Sequence, residues 1–115
     1  MLLERKELKD SETEELYVEA LYDSSNIMKS IYLPENKMLF IIFRKGVVYS
    51  YRNVDIELYL GFENTESQGV YFSKNINKNP LCKCYREYKL YEFEKKDIVK
   101  LIEEQKQLLV ERNNP

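Results

Sequence analysis

The stretch FRKGVVYSYRNV, Phe43 to Val54, combines two chemistries in one extended segment. Tyr49 and Tyr51 alternate with Val48 and Ser50, so on a strand the two phenol rings share a face. Arg44, Lys45 and Arg52 flank them, and Tyr71 and Lys74 follow downstream. Aromatic rings projecting from a sheet stack on nucleobases at about 1–3 kcal/mol per base, while nearby cations hold the phosphates. The same spacing also serves packing, with the tyrosines beneath the helix expected after them and their hydroxyls at the core rim.

The other reactive side chains point less clearly to a site. Ser24-Ser25 could bind an anion, or its hydroxyls could satisfy a local turn. Cys82-Lys83-Cys84 offers two thiols, too few to fill a tetrahedral zinc site in a chain with no histidine. No metal or cofactor is therefore expected. Glu103-Glu104 reads as a solvated helix face. The missing histidine removes the commonest general base and every Ser-His or Cys-His pair. A binding module rather than an enzyme is the expectation.

Charge is unevenly placed. The net value is −2, made of −4 over residues 1–22, +3 over residues 23–89 and −1 over residues 90–115. The mildly basic centre fits an anionic ligand and the acidic flank does not. At 115 residues the chain has room for one modest core. It has no apolar run near the roughly 18 residues that span a bilayer, so no membrane association is expected. The start, MLLERKELKD, has charge where a secretory leader has its apolar stretch, and two cysteines fit a reducing compartment. A cytoplasmic location follows as an expectation.

The elements that must position these residues read as α+β. Residues 1–15 form an acidic arm, mobile or partly helical, with Ser11 to Glu14 as a weak capping box. The core, 16–93, opens with alternating Val18, Ala20 and Tyr22, breaks at Asp23 to Asn26, and resumes at Ile27 to Leu33. Pro34 to Lys37 is a turn and Met38 to Phe43 a buried strand. Arg44-Lys45-Gly46 closes a hairpin onto Val47 to Tyr51. Asp55 caps a short helix to Thr65, with Gly69 as a C-terminal glycine. Residues 75–80 are loop-like, and Leu81 to Phe93 carries strand-like aromatics at Tyr85, Tyr88, Tyr91 and Phe93. Within the last segment, 94–115, an amphipathic helix runs from about Lys95 to Arg112, its apolar positions including Ile98, Leu101, Ile102, Leu108 and Leu109. The fold class is thus a small antiparallel sheet, a short helix after the Tyr-x-Tyr strand and a longer C-terminal helix.

An ordered set of these residues resembles the KTSC domain, a module named for its occurrence at the C-terminus of some lysyl-tRNA synthetases. The module also forms small stand-alone proteins of bacteria and phages. The set is Ser24-Ser25-x-Ile27, Leu39-x-Ile41-x-Phe43, Gly46, Tyr49-x-Tyr51, Val54, Leu58-Tyr59, Ser67-x-Gly69-x-Tyr71-Phe72 and Ile76. It covers roughly residues 18–80. Asp55, Thr65 and Ser73 stand where the family often has proline, alanine and asparagine. The synthetase context of the resemblance implies RNA or nucleotide binding, with Arg44, Lys45, Tyr49, Tyr51, Arg52, Tyr71 and Lys74 as the candidate contacts. The alternative is a protein-interaction module, in a phage setting an inhibitor of a host defence or nuclease protein. Its candidate partner surface, or a surface for self-association, is Ile98, Leu101, Ile102, Leu108 and Leu109 on the C-terminal helix.

Overall fold

A computed structural model describes residues 1–113. Six strands form one antiparallel sheet in chain order. They are β1 (Leu2–Lys9), β2 (Leu16–Tyr22), β3 (Ile27–Leu33), β4 (Met38–Phe43), β5 (Val47–Tyr51) and β6 (Cys84–Lys89). Helical segments α1 (Ile56–Asn64) and α2 (Gln68–Tyr71), with a π-helical stretch Phe72–Asn77, lie between β5 and β6, and α3 (Glu92–Asn113) closes the chain. The α+β expectation is met.

The alternating residues divide the sheet into two faces. On the first, Tyr22, Tyr32, Leu39, Ile41 and Tyr51 join Tyr59 and Phe62 of α1 with Phe72 and Ile76 in one core. Rings set its geometry: Tyr32 and Tyr59 stack at 4.1 Å, and Tyr22 meets Phe62 edge-on at 5.4 Å. Buried hydroxyls are satisfied, Tyr32 donating to the Val54 carbonyl at 2.7 Å and Tyr22 pairing with Ser30 at 2.7 Å. On the second face, Leu21, Met28, Ile42 and Val48 meet Leu90 and Ile102, with Ile98 and Val99 packed against them. The sheet is therefore sandwiched, α1 and α2 on one side and α3 on the other.

Local chemistry explains the boundaries. Asp55 caps α1 by accepting from the Leu58 amide at 2.9 Å. Gly46 follows a turn at Arg44-Lys45 with φ +89, the left-handed conformation that glycine adopts without strain. Gly61 lets the Tyr71 ring lie against α1, where the phenol donates to the Leu58 carbonyl at 3.2 Å; a Cβ at residue 61 would meet the Tyr71 oxygen at 2.1 Å.

Four expectations need correction. The acidic arm is not mobile or helical: Leu2–Lys9 is the edge strand β1, paired with β2. Its pattern is poor, but Glu63 of α1 is buried and draws Arg5 onto itself at 2.7 Å, while Tyr59 donates to the same carboxylate at 2.5 Å. A buried carboxylate without such partners would be strongly unfavourable, so the ion pair and the strand ladder hold β1 together. Ser11 to Glu14 is no helix start; Asp10 accepts from the amides of Glu12 and Thr13 and turns the chain into β2. Gly69 does not end α1 but sits within α2, which Ser67 caps, and much of the expected loop at 75–80 begins as π-helix.

Candidate functional site

The Tyr-x-Tyr strand is first of all a packing element. Tyr51 is 3% exposed and meets Phe72 edge-on at 5.2 Å. Burial pushes its phenol pKa well above the ordinary range, as it does for Tyr22 and Tyr59. No base can reach Tyr51, so its role as a stacking residue is withdrawn. Tyr49 is half-buried, edge-on to Phe43 at 5.8 Å. With Asn26, Lys45 and Val47 these two rings line a shallow groove.

The seven candidate contacts do not share one surface. Arg44 is tied down, its Nε donating to the Ser24 carbonyl at 2.7 Å. Lys45 is exposed at the hairpin tip beside Tyr49. Arg52 lies on the opposite face from Tyr51, donating to Ser50 at 3.1 Å and covering the Tyr85 ring at 4.9 Å. Tyr71 packs on α1, and Lys74 is exposed on the π-helical stretch. Ser24 is structural, its hydroxyl accepting from the Asn26 and Ile27 amides at 3.3 Å. Cys82 is not on a strand with Cys84: it is buried in the preceding loop, while Cys84 starts β6 exposed.

A second surface emerges at β6 and the start of α3. Its sequence, KCYREYKLYEFEKK from Lys83 to Lys96, interleaves four aromatics with five cations. The rings are open to solvent: Tyr85 is 49%, Tyr88 55%, Tyr91 72% and Phe93 66% exposed. Tyr91 and Phe93 stand parallel, 5.8 Å between centroids and 7° between planes. Tyr85 pairs with Ser50 and Tyr88 with Val48, with a register shift between them. The extra residue, Glu87, is what lets two tyrosines three apart in sequence fall on one face. Arg86 and Lys89 pair with Tyr49 and Val47, so they belong to the other side of the edge, beside the Lys45 groove.

The charge balance of this ribbon favours anions. Its three acids are engaged: Glu87 accepts from Ser50 and pairs with Arg52 at 3.8 Å, Glu92 pairs with Lys95 at 3.5 Å, and Glu94 accepts from the Tyr91 amide at 3.0 Å. Lys83, Arg86, Lys89 and Lys96 are exposed and form no ion pair among the described residues. Sequence patterning classed these aromatics as strand-like. That holds for Tyr85 and Tyr88 on β6, while Tyr91 lies beyond the strand and Phe93 in α3; the signal for exposure was the spacing, since rings at 85, 88 and 91 do not follow the period of two of a half-buried strand.

On α3 the candidate partner residues divide by face. Ile98 and Ile102 pack on the sheet of their own chain, and Leu109 is half-buried. Leu101 and Leu108 remain exposed. The helix thus serves first as the lid of the second face. None of the described helices is long and apolar enough to cross a membrane.

Comparison with known proteins places a shared architecture in the middle of the chain. Residues 23–79 match the family model of the KTSC domain. That segment holds β3 to β5 and the helical layer on the first face. A crystal structure of a KTSC domain protein from Yersinia pestis superimposes with a TM-score of 0.55 at 24% identity, covering 74% of this chain and 100% of that one. At that identity the likeness speaks for the fold. No curated protein matches the chain. By the matched segment, which carries the Tyr-x-Tyr strand and the helices it packs against, the chain belongs to the KTSC domain family.

Proposed function

We propose that the protein is a non-enzymatic binding module for nucleic acid or nucleotides, and that the ligand meets the ribbon from Lys83 to Lys96 rather than the Tyr-x-Tyr strand. The observation that carries this reading is the exposure of four rings among cations whose neighbouring acids are already engaged. Exposed apolar rings are costly to leave in water, and stacking on a base covers them without demanding a particular sequence. Arg86 and Lys89, with Lys45 beside them, line the opposite side of the same edge strand, where the phosphates of a strand wrapping that edge would lie, and Arg52 backs the Tyr85 ring with its charge.

The test is equilibrium binding to labelled single-stranded RNA and DNA across a salt series. Affinity should fall steeply with salt, and replacing Arg86 and Lys89 with alanine should lower the slope by about one for each lost phosphate contact. Tyr51→Phe should leave affinity unchanged. Absence of binding at low salt refutes this reading and turns attention to a protein partner for the same exposed rings.

A further inference from the structure

Resting on the nucleic-acid reading above, we infer that the ribbon is built for a single-stranded polymer rather than a free nucleotide, because it holds two separate stacking stations. One is the Tyr85 ring backed by the Arg52 guanidinium at 4.9 Å, with Tyr88 next along the same face. The other is the parallel pair Tyr91 and Phe93 at the start of α3. The two differ in construction. The first is a cation-backed ring on a strand, and the second is an unbacked pair at a helix terminus.

They are also close along the chain. Tyr85 and Tyr88 pair with Ser50 and Val48, whose face is the one α3 covers, and α3 begins three residues beyond Lys89. At about 3.3 Å per residue, the six steps from Tyr85 to Tyr91 span at most roughly 20 Å. Nucleotides stacked at about 3.4 Å would need about six to cover that distance, within the roughly 4–16 nucleotides that single-strand-binding folds take. Arg52 and Lys83 share the Tyr85 side of the strand, while Arg86 and Lys89 line the opposite side of the same edge. A mononucleotide fills one station and leaves the other, with its cations, unused.

The experiment compares a dinucleotide with an eight-nucleotide single strand of the same base, by fluorescence anisotropy at low salt. The octamer should bind at least tenfold more tightly. Tyr85→Ala and, separately, the double variant Y91A/F93A should each remove most of that advantage, a loss of roughly 5- to 150-fold in octamer affinity. These rings are exposed, so circular dichroism should report an unchanged fold in every variant. Equal affinity for dinucleotide and octamer overturns the two-station inference while leaving nucleotide binding in place. A length advantage that survives loss of either station also overturns it. Failure of both ligands to bind overturns the parent reading itself.

Discussion

The two faces of the sheet are finished in different ways. Among the described residues the first face gathers fourteen buried side chains in its core, the second only six. The first is roofed by α1, α2 and the π-helical stretch, all within the segment shared with the KTSC family. The second is closed by one helix of which only Ile102 is fully buried, and that helix lies outside the matched segment. Stability and surface chemistry are thus separated in this chain. Tyrosine on the first face is structural mass with a tethered hydroxyl. Tyrosine along β6 is exposed surface.

Three measurements bear on that separation. The largest effect should come from Phe62→Ala, which empties a fully buried site on the first face and should cost about 3–5 kcal/mol, against about 2 kcal/mol for Ile102→Ala under the thinner second layer. Urea unfolding measures both, and equal losses would show that the faces contribute alike. Next is alkaline pH. Tyr22, Tyr51 and Tyr59 have folded pKa values raised above the ordinary 10.0, chiefly by burial. Above about pH 10 the unfolded chain releases protons that the fold retains. Their stabilisation is therefore complete below pH 10 and is lost above it, by up to about 1.4 kcal/mol per pH unit for each ring. Tm should hold steady to about pH 9 and drop beyond pH 10; a level Tm through pH 11 would contradict the burial of these phenols. The smallest effect concerns Gly61. Gly61→Ala should cost about 1 kcal/mol while Tyr71 is present, by displacing its ring, and should stabilise by up to about 1 kcal/mol when combined with Tyr71→Ala. An identical cost with and without Tyr71 would remove that contact from the account.

Much of the architecture was legible in the chain. Alternation gave β2 to β5, the glycine after Arg44-Lys45 gave the hairpin, and Asp55 gave the start of α1, because each is a local rule acting over a few residues. β1 was not legible. Its place depends on a ladder to β2 and on an ion pair with Glu63, which lies 58 positions away. The four-residue α2 is too short for a helical period to register. Of the candidate site, the sharing of a face by Tyr49 and Tyr51 was visible, and with it the packing role. The grouping of Arg52 with Tyr51 failed against the same alternation, which sends adjacent residues to opposite sides. The ribbon at β6 stayed hidden because only the irregular register around Glu87 aligns Tyr85 with Tyr88.

The irregularity at Glu87 has a colloidal consequence as well. β6 is an edge strand, exposed along its whole length and rich in tyrosine, the composition that invites one sheet to grow onto another. The inserted residue disrupts the regular row of amides and carbonyls a neighbouring molecule would need, and the charges of Lys83, Arg86, Glu87 and Lys89 add repulsion and solvation along the same edge. An adhesive aromatic strip can thus be displayed at high protein concentration without seeding fibrous assembly.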